Sequence, residues 1–159
     1  MFRKFVGSVF AVTAVLAVAA ATAAADRPFK ARLSGDAHLS PTDDPFILRN
    51  DETGQGEATH LGRFTWADVE YADFAVIPGG VAVVATFTMT AANGDLLSGE
   101  FTSVGYFVDA VTLVICGSYE FTGGTGRFAD AEGSGDIEAT AFLAPGLPFT
   151  GTFDGTINY

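Results

Sequence analysis

The chain has 159 residues, enough for one domain with a substantial core and too few for two. Its 19 acidic residues outnumber eight basic ones, and so acidic a surface argues against a nucleic-acid partner. Cys116 is the only cysteine, which excludes an internal disulfide. Its apolar flanks predict a buried, inert thiol.

The first 25 residues are typical of a secretory signal peptide. Arg3 and Lys4 form a basic start, residues 5–20 are an apolar run, and Ala23 and Ala25 offer an A-x-A cleavage site. A retained membrane anchor is the alternative interpretation. The immediate change to polar residues after the alanines favours cleavage.

Residues 26–159 are therefore expected to form one exported domain, secreted or periplasmic, without a membrane span. With residues 1–25 removed, six basic residues oppose 19 acidic ones, a net charge of −13. This charge argues against docking on anionic lipid. The simplest interpretation is that acidity keeps a Phe- and Gly-rich exported protein soluble.

The first half of the domain has three recognisable segments. Residues 26–33 alternate apolar and polar side chains and predict a half-buried strand. Residues 35–56 are the most polar stretch, in which the apolar tetrad 45–48 predicts either a short strand or a loop anchor. Residues 57–71 predict one long strand with a β-bulge at Gly62.

The second half alternates more clearly, and no helical periodicity extends over ten residues. Asn93-Gly94 between two alternating runs predicts a tight hairpin. Gly151 and Gly155 on the inward face of the last run suit a small, curved barrel. The chain therefore predicts an all-β fold, a single antiparallel β-barrel of about eight strands. The predicted strands here are 81–90, 96–106, 113–122, 135–142 and 149–159.

The glycine-rich stretch 117–135 predicts the turn of another hairpin, because its glycines tolerate positive φ. Residues 124–129 also fit the dinucleotide pattern G-x-G-x-x-G/A. That motif requires a helix whose N-terminus holds the pyrophosphate. Two further glycines at 133 and 135 disfavour such a helix, so we reject the nucleotide interpretation.

No nucleophile–base arrangement, metal-ligand spacing or cofactor motif is recognisable. His60 and Arg63 are the catalytic candidates if a polar group faces a cavity, although His60 is more simply a packed residue. Four aromatic residues are candidates for ligand binding, besides their ordinary role in a core: Trp66, Phe87, Phe101 and Tyr119.

Carboxylates provide two weaker candidates. Glu100 and Glu120 could act as acid or base in a lumen, but their polar neighbours predict an outward orientation. A second group could bind calcium, yet it lacks the D-x-D-x-D-G spacing, and a solvated acidic loop without metal is the prediction. That group is Asp43, Asp44, Asp51 and Glu52.

Segments 57–65, 90–97 and 121–129, with Gly133 and Gly135, resemble a group of uncharacterised exported bacterial proteins similar to the allene oxide cyclase and dirigent barrels. The resemblance covers most of residues 57–159. It implies an eight-stranded antiparallel barrel of calycin-like shape, often trimeric in the plant members. The catalytic residues of the plant proteins find no match here.

These observations leave three functional hypotheses. The first is a non-enzymatic barrel that binds a small apolar molecule or has a structural role in the envelope or extracellular space. The alternative is a cyclase- or dirigent-type enzyme that confines an apolar substrate in the lumen beside His60 or Arg63. The third is self-assembly into a homo-oligomer through the outer face. Whether the lumen is filled or hollow bears on the first two.

Overall fold

A computed structural model describes residues 25–159, and the predicted signal peptide lies outside them apart from its last residue. The described chain forms eight antiparallel strands in one closed barrel, in which each strand pairs with its sequence neighbours and the last pairs with the first. The prediction of a single all-β barrel is confirmed. The strands are β1 (Arg27–Pro41), β2 (Ile47–Ala58), β3 (Gly62–Asp73), β4 (Gly80–Ala91), β5 (Leu96–Phe107), β6 (Thr112–Gly124), β7 (Gly133–Phe142) and β8 (Pro148–Ile157). Within residues 25–159, no helix has the length and apolarity needed to cross a membrane.

The first half of the barrel differs from the sequence prediction. Most of the polar stretch 35–56 belongs to two strands, because β1 runs on to Pro41 and β2 begins at Ile47, within the apolar tetrad 45–48. The expected single strand over 57–71 is wrong. The chain reverses at residues 59–61, where His60 adopts a positive φ of 70° and Gly62 one of 71°. A tight turn of this kind needs only two left-handed residues, so it leaves little compositional signal.

The second half agrees closely with the prediction. The Asn93-Gly94 turn joins β4 to β5, and the stretch 117–135 joins β6 to β7 as a hairpin. The β6–β7 connection contains a 3₁₀ turn, Gly126–Phe128, whose Phe128 is fully buried. The one register irregularity in the β5–β6 pairing lies between Ser98 and Gly99.

Aromatic side chains fill the lumen. The Trp66 ring stacks on Phe87 with 5.0 Å between centroids, and Phe153 meets Trp66 and Tyr119 at 5.6 and 4.8 Å. Inward-facing glycines make room for these rings: a Cβ on Gly99 would lie 2.5 Å from Phe87 Cζ. Alternation of large and small inward residues is how a narrow barrel is packed.

The two ends of the barrel are different. At one end, which we call the plugged end, three residues are buried: Leu61 of the β2–β3 turn, Phe128 of the β6–β7 connection and Ile157 at the end of β8. The other end, which we call the open end, carries the β1–β2, β3–β4, β5–β6 and β7–β8 loops. Inward residues near the open end, such as Ile115 and Ala139, are only half-buried.

The prediction of a buried Cys116 is wrong. Tyr119 and Phe121 on the same strand face the core, so strict alternation turns Cys116 outward, where it is exposed. Its cross-strand neighbours on the outer face are Val104 and Glu138. Apolar sequence neighbours of a strand residue do not bury it when the neighbours themselves alternate between two faces.

Candidate functional site

Four polar side chains project into the lumen from two adjacent strands. Asn50 and Glu52 on β2 lie directly opposite Glu70 and Asp68 on β3, respectively. All four are exposed by 9% or less. Oxygens of Glu52, Asp68 and Glu70 lie within 4.8 Å of one another, and we call these three residues the lumen carboxylate cluster.

Hydrogen bonds satisfy the cluster only in part. Asn50 Nδ2 donates to Glu52 Oε1 at 2.9 Å and to Glu70 Oε2 at 2.8 Å. The backbone N–H of Glu52 donates to Asp68 Oδ1 at 3.2 Å. Asp68 Oδ2 and Asn50 Oδ1 are buried with no hydrogen-bond partner among the described residues. Buried oxygens without partners are uncommon in folded proteins and call for an explanation.

Burial raises the pKa of all three carboxyl groups in the cluster. Desolvation, reinforced by the charge of Glu70, raises the pKa of Glu52 to about 8 although the Asn50 hydrogen bond opposes it. Desolvation, with repulsion from Glu52 and Glu70, raises the pKa of Asp68 to about 10. Desolvation also raises the pKa of Glu70. The cluster therefore favours bound protons or a cation over three free negative charges.

A cavity of about 30 Å³ lies against the cluster. Its volume has room for a water molecule or a single ion and excludes larger molecules. The other residues that line it are apolar side chains and a glycine: Leu33, Trp66, Phe101, Ile115, Ile137, Ala139, Ala141, Phe149, Gly151 and Phe153. None of them is a charged partner for the carboxylates.

The predicted pair His60 and Arg63 does not meet in a cavity. His60 lies in the turn at the plugged end, where its Nε2 donates to the Pro28 carbonyl at 3.1 Å and its Nδ1 accepts from the Tyr159 hydroxyl at 3.2 Å. Arg63 is exposed on the outer face of β3, opposite Glu57. Both side chains are therefore separated from the lumen carboxylate cluster.

The four aromatic ligand candidates are brought together, and they form part of the core. Trp66, Phe87 and Phe101 follow one another across β3, β4 and β5, and Tyr119 packs against Phe153. Each is exposed by 5% or less. In this arrangement the rings contact one another and occupy the space that an internal ligand would need.

The environment of each predicted acidic residue depends on whether it lies in a turn, on the outward face of a strand or on the inward face. Asp43 and Asp44 lie in the β1–β2 turn, and Asp51 points outward to Arg49, with contacts of 2.9 and 2.6 Å. Glu52 is buried, so its predicted place in a solvated loop is wrong. The predicted outward orientation of Glu100 and Glu120 is confirmed.

Sequence reasoning missed Asp68 and Glu70, although a signal was present. Phe64 and Trp66 are inward residues of β3. Because every second residue of a strand faces the same side, Asp68 and Glu70 face inward as well. The prediction of one strand over 57–71 hid this alternation, because a bulge at Gly62 leaves the register of later residues open. A strand that begins at Gly62 has Asp68 and Glu70 on its inward face, next to Glu52 of β2.

Exposed apolar residues surround the open end. All fourteen large hydrophobic residues that are exposed within residues 25–159 lie in the half of the barrel nearest that end. Six of them are in its four loops: Phe46, Phe74, Val76, Val108, Val111 and Leu143. The remaining eight lie on the adjoining parts of the strands: Leu39, Tyr71, Val84, Val104, Tyr106, Phe107, Val114 and Phe142.

No protein-family model matches this chain, and comparisons with curated proteins and with solved structures gave no match. The resemblance to the allene oxide cyclase and dirigent barrels stays a prediction. The function of the protein has to be inferred from the geometry of residues 25–159.

Proposed function

We propose that the protein is an exported, non-enzymatic barrel that binds a small apolar molecule at its open end. The observation that carries this proposal is the concentration of all fourteen exposed large hydrophobic residues in that half of the molecule. Single exposed hydrophobic residues scattered over a surface are ordinary, whereas their concentration in one half of a molecule is typical of a binding surface. The plugged end provides the contrast, because none of the fourteen lies there.

The filled lumen supports a site at the open end rather than deep in the barrel. The internal cavity of about 30 Å³ cannot contain a molecule larger than water. The half-buried Ile115, Ala139 and Ala141 line that cavity on its side towards the open end. An apolar molecule at this end would contact these residues and the apolar side chains of the loops together.

The charges of the loops favour a free small molecule over a membrane surface. Asp43, Asp44 and Asp109 lie in the loops of the open end, and those loops contain no lysine or arginine. Anionic lipid attracts basic segments and repels acidic ones. An uncharged apolar molecule avoids this repulsion.

Titration with the neutral solvatochromic dye Nile red tests the proposal. We expect saturable binding by the protein, and binding about tenfold weaker in the double variant Val76→Ser/Val108→Ser, because loss of two apolar contacts removes roughly 1.4 kcal/mol or more. The control Ala129→Ser changes an exposed residue at the plugged end and should bind like the unaltered protein. Equal binding by the double variant, or none by the unaltered protein, would refute the proposed site.

One observation favours the enzymatic alternative. Glu52 has a pKa raised to about 8 and lies in the half of β2 nearest the open end, so it could act as a general acid near neutral pH. Because the cavity beside Glu52 has room only for a water molecule or an ion, the substrate would stay at the open end and only its reacting atom would extend to the carboxyl group. In hydrolysis of an apolar epoxide, Glu52 would protonate the epoxide oxygen while water attacks the ring carbon and gives a diol. Hydrolysis by the protein but not by Glu52→Gln would support this activity, and equal rates with both would exclude the role of Glu52.

A further inference from the structure

We propose that the lumen carboxylate cluster is a calcium-binding site, with Glu52, Asp68 and Glu70 as ligands. This inference goes beyond apolar binding at the open end and is argued from different observations, although Ile115, Ala139 and Ala141 line the same cavity. It rests on the distances, burial and unpartnered oxygen of the cluster itself.

The spacing of the oxygens fits a single calcium ion. Ca²⁺ binds oxygen at about 2.3–2.6 Å, so two ligands of one ion lie at most about 5 Å apart. The cluster offers three carboxylate oxygens that are all within 4.8 Å of one another. Three carboxylates binding in mono- or bidentate fashion supply up to six oxygens, which approaches the six to eight that calcium takes.

Asp68 provides the observation that points to a ligand. It is 94% buried, it lines the cavity, and its Oδ2 has no hydrogen-bond partner among the described residues. As a carboxylate, Oδ2 lacks a donor, and as a carboxylic acid it lacks an acceptor for its proton. A cation in the cavity satisfies this oxygen directly.

The composition and size of the site select the kind of cation. All three ligand groups are carboxylates, which favour hard ions over zinc or copper. A cavity of about 30 Å³ excludes an organic cation. Magnesium usually retains several water molecules and needs near-ideal octahedral geometry, for which this cavity has too little room. Calcium prefers oxygen ligands and tolerates irregular coordination, so it fits both the carboxylates and the size of the cavity.

Asn50 is a positioning residue for this site. Its Nδ2 donates to one oxygen of Glu52 and to one of Glu70, and so fixes two of the three ligands. Fixed ligands lose less conformational freedom when the ion binds.

Terbium provides a direct test, because Tb³⁺ replaces Ca²⁺ at oxygen sites and emits when a nearby tryptophan is excited. Trp66 is the only tryptophan in the chain, and it lines the same cavity. We expect saturable, one-to-one emission after tryptophan excitation, and we expect Ca²⁺ to compete it away. Emission that never saturates, or that calcium does not displace, would reflect binding to the acidic surface and would overturn the proposal.

Isosteric variants locate the bound ion. Asp68→Asn and Glu70→Gln should each weaken Tb³⁺ binding by about tenfold or more, since each removes a charged ligand. Asn50→Leu should weaken it by about tenfold through loss of ligand positioning. Glu100→Gln removes an equal charge from the outer face and should have no effect. Equal emission from Asp68→Asn, Glu70→Gln and Glu100→Gln would place the ion elsewhere.

A thermal measurement without terbium completes the test. Ca²⁺ should raise the melting temperature of the unaltered protein and of Glu100→Gln, and should leave Asp68→Asn unchanged. Circular dichroism of each variant establishes that it is folded before titration. An equal calcium response in Asp68→Asn would overturn the assignment even if the terbium results agreed with it. Nile red binding is measured separately, so failure of the calcium site leaves the apolar site standing.

Discussion

Asp51 and Glu52 are sequence neighbours in opposite environments. Asp51 points to solvent, where hydrogen bonding to Arg49 holds its pKa below the usual range. Glu52 points into the lumen, where burial raises its pKa to about 8. Neighbouring residues of a strand face opposite sides. Asp51 is therefore a salt-bridged surface carboxylate, whereas Glu52 is a buried group that retains its proton near neutral pH.

The cluster should make the metal-free protein less stable as the pH rises. In the unfolded chain its carboxyl groups titrate near pH 4, whereas in the folded state the pKa of Glu52 is about 8 and that of Asp68 about 10. The folded state then binds more protons, and the free energy of unfolding falls by about 1.4 kcal/mol per pH unit for each extra proton. We expect urea unfolding in the presence of a chelator to show this fall between about pH 5 and pH 8.

Asp68→Asn provides the comparison for this pH dependence. The amide keeps the shape of the side chain and cannot ionise, so the variant should lose stability less steeply and should exceed the unaltered protein in stability at pH 8. Glu100→Gln should retain the original slope. A free energy of unfolding that rises from pH 5 to pH 8 in metal-free protein would contradict the assignment of raised pKa values.

At the level of strands, inward glycines are matched to aromatic partners. Gly99 on β5 faces Phe87 on β4, and Gly155 on β8 faces Tyr119 on β6. A Cβ on Gly155 would lie 2.7 Å from the Tyr119 hydroxyl oxygen. The rings reach across the lumen only because their partners lack side chains, so glycine in these strands serves packing rather than a turn.

Gly99→Ala should therefore destabilise the barrel. The new Cβ would lie 2.5 Å from both Phe87 Cζ and the Glu120 carbonyl oxygen, and neither can move freely in the packed lumen. We expect a loss of about 1–3 kcal/mol in urea unfolding. Thr102→Ala, on the exposed face of the same strand, should cost under about 1 kcal/mol. Similar stabilities for the two variants would mean that the lumen repacks easily.

The regularity with which apolar and polar residues alternate determines which strands could be predicted from the sequence. Strands β4 to β8 follow alternating runs bounded by Asn-Gly or glycine-rich turns, and their predicted limits differ from the observed ones by a few residues at most. Strand β2 has polar residues at inward positions, Asn50 and Glu52, and this pattern resembles a loop. Asn50 and Glu52, which obscured strand β2, are also part of the candidate site.

Closure of the whole barrel depends on the pairing of β1 with β8, which joins residues far apart in the sequence. Arg27 pairs with Ile157, so both ends of the described chain lie at the plugged end. Tyr159 adds a contact there by donating its hydroxyl to His60 Nδ1. The β1–β8 pair is as extensive as the hairpin pairs, which leaves the closed sheet without an edge strand.

A circular permutant should fold because of this closure. A short Gly/Ser linker can join Tyr159 to Arg27, and new termini can open the exposed turn at Asn93 and Gly94. We expect the native circular dichroism spectrum, with stability lower by about 1–3 kcal/mol. A second permutant opened within β4, between Ala85 and Thr86, should fail to fold because it divides a central strand. An unfolded first permutant would show that the β4–β5 connection is needed for folding.

The sequence by itself determined the class of fold, because strand alternation and turn chemistry are local properties that a single chain displays directly. It also determined the strong acidity and the excess of aromatic residues. Only the tertiary structure decided that these aromatics fill the lumen, that Cys116 is exposed, and that Glu52 meets Asp68 and Glu70. The physical reason is the register: a shift of one residue moves every side chain of a strand to the other face. The register of β2 against β3 became visible only when the turn at residues 59–61 was known.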